Sequence, residues 1–529
     1  MINQHNPYNH QPQMGQPMMP PQFMPPQQQM KSKWQQRLLG NGIGRPLTLQ
    51  QDRTLPNWLV GKSVLFFFIA FALCTVVWGY PMEMRYAIIS SLSVLLFFFG
   101  SYWGCKNWAQ SSKKSFVRNV FIIGLFIRLL WVFYCYFIFN PEYYGNTYGD
   151  GSDVDWYMPF GEGIKEWLME PNEQSFGELM NDWCAAIDDV GYPIWLAVLY
   201  ILSFGESDVF VPFLIKSIMG AYCAICIYKV ASRHFGEGAA RLAALFVALN
   251  PNMIYWCATM MKEAEMVFLC CLCVELVDRT FTGQKLTFRG LLPGVMVGVY
   301  LFFYRAPLAI VLFLAMFAHI VMTSNRMMST GKKIIAGVMV TLVIFVGIGD
   351  RLRSQFSGIV EAVQKTESRQ QHNAEWRAKR EGGNSFAKYA GAAVFAPLIF
   401  TIPFPTFNVA NEGQIVQQQL SGGSYIKNVF SFFAIFVIVI MILTGEWRRN
   451  VFILAYTLGY LACLVLSNFA QSGRFHMPIW PMLMLFAAYG IQVAKTNARM
   501  RRLLPLVFVL EVIVCLAWNW FKLKGRGMI

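Results

Sequence analysis

The chain has 529 residues, of which 56% are hydrophobic and only 14% are charged, and it carries a net charge of +15. Soluble proteins carry about 25% charged residues, so this composition excludes an ordinary soluble domain and indicates a multi-pass membrane protein. Lysines and arginines that flank membrane spans on one side explain the positive charge, and we expect no nucleic-acid partner.

The first 30 residues form a tract rich in Met, Gln, Pro and Asn. Such a tract cannot bury a hydrophobic core, so we predict a disordered cytoplasmic arm over residues 1–56, with no cleavable signal peptide. The second half of this arm is basic and contains Lys31, Lys33, Arg37, Arg45 and Arg53.

Apolar runs near the length of about 20 residues that crosses a bilayer follow one another along the rest of the chain. They predict an all-α polytopic bundle of about 12–13 transmembrane helices with helical outer loops. The predicted spans are 57–80, 86–104, 119–139, 208–229, 238–256, 263–281, 289–304, 307–323, 333–349, 425–445, 450–467, 477–494 and 503–521. Basic residues cluster in alternate connections, which predicts a plasma (inner) membrane protein with a cytoplasmic N-terminus.

This pattern divides the chain into four parts. Two extra spans occupy 57–118, a membrane core occupies 119–494 with outer loops at 140–207 and 350–424, and a last span and tail occupy 495–529. Residues 191–205 (GYPIWLAVLYILSFG) are too short to span, and they predict a helix on the outer surface. Residues 389–407 contain three prolines, which favours a re-entrant or interfacial segment over a straight span, although a crossing there stays open.

The loop over residues 140–190 is the most unusual segment, because it holds twelve carboxylates and only one basic residue, Lys165. Its net charge of −11 contrasts with the +15 of the whole chain. The loop follows the third predicted span, so the same topology places it on the outer face. Charge separated in this way predicts that the chemistry also takes place on that face.

Several charged residues lie at the predicted outer ends of spans, where a charge is costly and often functional. They are Lys262, Glu263, Arg305 and Arg474, the last with His476 beside it. The structural alternatives are cations that snorkel to the interface, an interface marker at Lys262 and Glu263, and a hydrogen-bonded structural histidine. Arginine matches phosphate with a planar fork of donors, and an aspartate can take a proton from an attacking hydroxyl. Together these groups favour a reaction between an anionic lipid headgroup and a hydroxyl.

Three passages resemble the GT-C superfamily of integral-membrane glycosyltransferases, which use polyprenyl-phosphate-linked sugars and include protein O-mannosyltransferases and aminoarabinose transferases. DVDWYMPFGEGI sets Asp153 four residues before Tyr157, as in the first large outer loop of the family, with Gly161 where alanine is usual. The stretch from YPIWLAVLY to MMKE resembles the segment that ends in an acidic residue heading a span, here Glu263. GRFHMPIWP resembles the late Arg-x-x-x-Pro-x-x-Pro segment. The two spans before residue 119 depart from the simplest family pattern.

The resemblance implies sugar transfer with inversion to a hydroxyl acceptor (a glycolipid, a polysaccharide or a protein) on the extracytoplasmic face, with the bilayer and the polyprenyl-phosphate sugar as partners. Asp153 would be the general base, with Asp155 or Asp150 as alternates. The implied substrate-binding residues are Tyr157, Lys262, Glu263, Arg305, Arg474 and His476, of which the two arginines would bind the lipid phosphate. No cofactor is required, although a divalent ion shared by Asp153 and Asp155 stays open.

Two other classes of function stay open. A polymerase or ligase of lipid-linked polysaccharide would share the lipid and the arginines and would need no base in the acidic loop. A transporter or flippase would place polar residues near the middle of the membrane, where Glu275 and His319 are the candidates.

Overall fold

The apolar runs of the sequence form helices, because in a bilayer every backbone polar group must find its partner within the protein. A computed structural model of the chain describes residues 53–78, 83–139, 153–170, 174–183, 185, 187, 189–204, 207–283, 287–323, 396–402, 404, 417–467 and 472–525. Over these ranges the protein is helical and contains no strand. All of them lie in one compact unit, Thr48–Ile529.

Eight helices in the described part of the chain are long and apolar enough to cross a membrane, which confirms the predicted all-α polytopic class. They are Asn57–Trp78, Met84–Asn107, Lys113–Phe139, Phe210–His234, Ser421–Thr444, Glu446–Leu466, Met477–Thr496 and Ala498–Gly525. The predicted span 333–349 lies outside the described residues.

Helices are numbered here in chain order. The first eight are α1 (Asn57–Trp78), α2 (Met84–Asn107), α3 (Lys113–Tyr134, continued by a π-turn, Cys135–Phe139), α4 (Val154–Met169), α5 (Phe176–Asp182), α6 (Gly191–Leu202), α7 (Phe210–His234) and α8 (Gly236–Ala248). The last eight are α9 (Pro251–Tyr255), α10 (Glu263–Phe281), α11 (Phe288–Phe302), α12 (Ala306–Thr323), α13 (Ser421–Thr444), α14 (Val451–Leu466), α15 (Trp480–Thr496) and α16 (Ala498–Gly525).

The predicted span 238–256 is broken rather than continuous. Helix α8 ends at Ala248, and Asn250 caps α9 by accepting a hydrogen bond from the Met253 amide at 3.0 Å. Pro251 suits the first position of a new helix, since its missing N–H would be unpaired there in any case. Arg128 donates to the Ala248 carbonyl at 2.8 Å and so satisfies one of the carbonyls left without a helical partner where α8 ends.

A helix is present within the predicted segment 191–205 as α6, which is 12 residues long, and its position on the outer surface stays a prediction. It packs against α4 around a small apolar core that contains Phe160, Ile164 and Ala197. A β-carbon on Gly161 would lie 3.0 Å from Cβ of Leu196, so this contact explains glycine where the resembling family has alanine.

The proline-rich segment 389–407 is described only at 396–402 and 404. There it forms a four-residue 3₁₀ helix, Ala396–Ile399, and no longer helix. The Ile402 amide donates to Asn428 Oδ1 and its carbonyl accepts from Asn428 Nδ2, both at 2.7 Å. An irregular backbone satisfied in this way by a buried side chain fits the re-entrant interpretation.

A network of charges lies near the C-terminal end of α10. Arg233 Nε lies 2.6 Å from Asp278 Oδ2, and Arg233 Nη1 lies 3.3 Å from Glu275 Oε1. The ring of His319 stacks on Phe281 at a centroid distance of 4.1 Å. Glu275 and His319, the two residues that a transporter would use, thus lie here, and Glu275 is held in an ion pair.

Glu275 and His319 are not the only titratable groups within the described helices. The structure also buries Arg128, Lys216, Glu265, Lys427 and Glu511. Three of them, Arg128, Lys216 and Glu511, each stand alone in an apolar run of the sequence, so only the tertiary fold shows what surrounds them.

Candidate functional site

Arg474 contacts two residues that the family resemblance singled out. They are Asp153, in the first of the three passages, and Glu263, at the end of the second. Arg474 Nη2 donates to Asp153 Oδ2 at 2.6 Å, and Arg474 Nε donates to Glu263 Oε1. The Glu263 side chain is fully buried, whereas that of Asp153 is 42% exposed. The three side chains therefore form a cluster that is buried on the side of Glu263 and accessible to solvent on the side of Asp153.

The ends of helices hold these residues in place. Asp153 is the residue before α4, and Glu263 is the first residue of α10. The exposed amides and the dipole of a helix N-terminus stabilise negative charge. Arg474 lies in the turn before the 3₁₀ helix Met477–Ile479, where its carbonyl accepts from the Met477 amide at 3.1 Å.

A second ion pair, between Lys262 and Asp189, lies beside the first. Lys262 Nζ contacts Asp189 Oδ1 and donates to the Tyr304 carbonyl at 2.9 Å. The Tyr157 hydroxyl donates to the same Asp189 oxygen at 3.4 Å. Sequence reasoning missed Asp189, because nothing local distinguishes it among the twelve carboxylates of the loop.

Burial changes the titration of two groups around this pair. It lowers the pKa of Lys262 to about 8, and the positive charge of Arg305 acts in the same direction while Glu263 opposes it. Burial also raises the pKa of Tyr157, and the carboxylates of Glu263 and Asp153 raise it further. Tyr157 is therefore a neutral hydroxyl donor at physiological pH.

Arg305 differs from the other two cations of the site because it pairs with no carboxylate in the described part of the chain. Its guanidinium carbon lies 4.2 Å from the centroid of the Phe475 ring, and that of Arg474 lies 5.9 Å from the same centroid. The two arginines thus share one aromatic neighbour, and Arg305 is available to an anion.

Two of the remaining predicted site residues, Asp155 and His476, take part in neither of these ion pairs. Asp155 is exposed in the first turn of α4, and Asp150 lies outside the described residues. His476 is fully buried and packs its backbone into the turn, where its amide donates to the Gly473 carbonyl at 3.3 Å. This placement favours the structural alternative for His476, and its role in substrate binding stays a prediction.

A buried lysine supports the turn that carries Lys262 and Glu263. Lys216 Nζ donates to the Thr259 carbonyl at 2.7 Å and to the Met261 carbonyl at 2.8 Å, and it lies 3.3 Å from Glu265 Oε1. The signal that sequence reasoning missed was visible in the run FLIKSIM, where one charge interrupts an apolar helix.

The described ranges contain no evident site for the divalent ion that the sequence allowed. No group of three or more Asp, Glu, His or Cys side chains converges there in a way that could hold a metal ion. Asp153 is engaged by Arg474, and Asp155 is exposed on the helix. We therefore derive no step through a metal.

These features define the class of the protein as a multi-pass membrane protein with a charged site at one end of its helical bundle. A family model described as dolichyl-phosphate-mannose-protein mannosyltransferase matches residues 188–348, a range that contains Asp189, Lys262, Glu263 and Arg305. The match agrees with the resemblance to membrane glycosyltransferases that the sequence showed.

Three solved structures from Archaeoglobus fulgidus are similar to this chain. The archaeal oligosaccharyltransferase AglB in complex with an inhibitory peptide and a dolichol-phosphate has a TM-score of 0.39 at 14% identity, covering 78% of this chain and 56% of that chain. An oligosaccharyltransferase complex with Zn and sulfate has a TM-score of 0.38 at 12% identity, covering 77% of this chain and 52% of that chain. An oligosaccharyltransferase tethered to an acceptor peptide that contains the NVT sequon has a TM-score of 0.39 at 12% identity, covering 80% of this chain and 56% of that chain. This chain thus spans about half the length of these structures, and the comparison with curated proteins gave no match.

Proposed function

We propose that this protein transfers a sugar from a polyprenyl-phosphate-linked donor to a hydroxyl acceptor, with inversion and with Asp153 as general base. The observation that carries the proposal is the bridge from Asp153 through Arg474 to Glu263, beside an arginine that has no carboxylate partner among the described residues. This arrangement supplies a base and an anion site within one small volume.

The charges indicate where the lipid phosphate would bind. Asp153 and Glu263 are each paired with Arg474, the latter through Oε1, and Asp189 is paired with Lys262. Arg305 is left as the cation available to a new anion, and an arginine can grip a phosphate through two parallel hydrogen bonds. The donor phosphate would therefore bind Arg305 first and then reach Arg474 across the Phe475 ring.

Donor binding would also activate the base. Arg474 donates to Asp153 Oδ2, so this oxygen is already engaged. If the donor phosphate draws the guanidinium of Arg474 toward itself, Asp153 Oδ2 is released and can accept the proton of the acceptor hydroxyl. The acceptor would then be deprotonated only when a donor is present.

The proposed step is a single displacement. The acceptor oxygen gives its proton to Asp153 and forms a bond to the anomeric carbon, while the bond from that carbon to the phosphate oxygen breaks. Polyprenyl phosphate leaves with the bonding electrons, and the anomeric configuration inverts. General-base catalysis of this kind contributes about 10²–10⁴-fold to a rate.

Another group in the site would bind the sugar. Glu263 Oε2 is buried and has no hydrogen-bond partner in the described part of the chain, so it can accept a hydrogen bond from a sugar hydroxyl. The rings of Tyr157 and Tyr192, both buried, meet edge to face at 5.1 Å and pack α4 against α6.

The test is an assay of the purified protein in nanodiscs with a panel of polyprenyl-phosphate sugars and candidate acceptors. We expect one donor to release polyprenyl phosphate in equal amount to the glycosylated acceptor, with the anomeric configuration inverted. Retention of configuration would contradict the single displacement. A ladder of lengthening products would instead favour the polymerase or ligase alternative.

A further inference from the structure

A pocket of about 590 Å³ lies between α1 and α16, away from the proposed catalytic site. It is lined by Trp58, Lys62, Ala498, Arg501, Arg502 and Pro505. Its volume falls within the range of about 300–1,000 Å³ that is usual for ligand sites. We propose that this pocket binds the headgroup of an anionic phospholipid.

The pocket lies a full membrane span from the catalytic site. Helix α15 begins at Trp480, just after Arg474, and runs for 17 residues to Thr496, which corresponds to about 25 Å at 1.5 Å per residue. Helix α16 then begins at Ala498, which lines the pocket. The inference therefore does not depend on the proposed function.

The charge of the pocket is positive and unbalanced. Lys62, Arg501 and Arg502 line it together with no acidic residue, and none of the three takes part in an ion pair within the described ranges. Basic pockets between membrane helices are suited to anionic lipid headgroups.

The segment that precedes α1 in the sequence is basic. Residues 31–53, which directly precede α1 in sequence, contain five cations and one acid, Asp52. Charge therefore disfavours this segment as the occupant, and it adds to the attraction for a negatively charged membrane surface.

The position of the pocket fits a lipid better than a soluble anion. Lys62 is the sixth residue of α1, and Arg501 and Arg502 are the fourth and fifth of α16, so all three lie within two turns of a helix end. Trp58 is of the residue type enriched at membrane interfaces.

Apolar surface continues from the pocket toward the middle of the membrane. The rings of Phe66 and Phe508 stack at 4.3 Å and close the gap between the two helices. Leu65, Leu503 and Leu506 are exposed at 58%, 44% and 55%, and they can contact acyl chains. A headgroup in the pocket would thus have its chains on an apolar surface.

The test is native mass spectrometry of the full-length protein in detergent, titrated with phosphatidylglycerol or phosphatidylcholine. We expect phosphatidylglycerol to bind at least about tenfold more tightly. The R501Q/R502Q variant should lose this preference, whereas R501K/R502K should keep it because both charges remain. The matched control is K114Q/R499Q, which removes two exposed cations that do not line the pocket and should bind lipid as the unsubstituted protein does.

An equal loss of binding in the control would overturn the proposal, because it would show diffuse attraction rather than a defined site. Equal binding of phosphatidylcholine would overturn it as well. Inorganic phosphate is the soluble probe, and if it displaced phosphatidylglycerol at equal concentration the lipid assignment would be wrong. If R501Q/R502Q fails to fold, Lys62→Gln on α1 tests the same pocket independently. We expect this variant to show a weaker preference for phosphatidylglycerol over phosphatidylcholine. An unchanged preference would contradict the proposal.

Discussion

Arg474 Nη2 lies 2.6 Å from Asp153 Oδ2, although the two residues are 321 positions apart in the chain. One stands at the start of a loop helix and the other in a turn between two membrane helices. Their contact links the proposed base to a proposed phosphate-binding arginine, so the two functions need not be independent.

Asp153→Asn is expected to lower sugar transfer by about 10²–10⁴-fold, because the amide cannot accept the proton of the acceptor. The matched control is Asp155→Asn, which alters an exposed carboxylate two residues away and should leave the rate within a factor of about two, as expected for a surface change. Both variants should unfold at similar temperatures. Equal loss of transfer in the two variants would show that Asp153 is not the base.

Arg474→Gln is expected to destabilise the protein by about 3–5 kcal/mol, because it leaves the buried Glu263 carboxylate without its ion-pair partner. The double variant R474Q/E263Q should recover a large part of that loss, since the uncompensated charge is removed. Thermal unfolding of the two single variants and the double variant measures this coupling. Strictly additive effects would mean that the two side chains do not stabilise each other.

The pH dependence of transfer should contain an alkaline limb that belongs to Lys262. Burial lowers the pKa of this ammonium to about 8, so the group is protonated below that pH and loses its charge above it. Asp189 then loses its ion-pair partner, and kcat/KM should fall as the pH rises through about 8. Lys262→Arg should move this limb to higher pH, because arginine stays charged. A limb that keeps its position in the variant would have to come from another group.

Gly191→Val is expected to disturb the site from outside it. A β-carbon at this position would lie 2.8 Å from Cδ2 of Tyr304 and 2.9 Å from the Phe303 carbonyl oxygen, which precede Arg305. We expect a loss of about 1–3 kcal/mol in stability and reduced transfer. Gly177→Ala is the control, since the nearest atom there is Ser175 Oγ at 3.9 Å, and it should be tolerated. A fully active and stable Gly191→Val protein would contradict this packing.

The predicted orientation can be tested by labelling. A cysteine at Glu178, exposed in the acidic loop, and one at Lys114, exposed at the start of α3, should lie on opposite sides of the membrane. In intact cells a membrane-impermeant maleimide should label the first and not the second, relative to the unsubstituted protein. The reverse pattern would place the site on the cytoplasmic side.

The parts of the site that could be predicted from the sequence carry a local signal. Glu263 and Arg474 are charges at the ends of apolar runs, and Asp153 stands in a recognisable spacing with Tyr157. Asp189 has no such signal, because its partner Lys262 is 73 positions away and only the fold brings them together. The same holds for the fold, since apolar runs predict spans, but the contact that satisfies the end of α8 joins Arg128 to the Ala248 carbonyl, 120 positions away.

The most direct test of the central claim is a cryo-EM map of the Asp153→Asn protein with bound polyprenyl phosphate. The account predicts density for the phosphate within hydrogen-bond distance of the guanidinium groups of Arg305 and Arg474, with Arg474 turned away from residue 153. A phosphate bound elsewhere on the bundle, with both arginines unchanged, would contradict it.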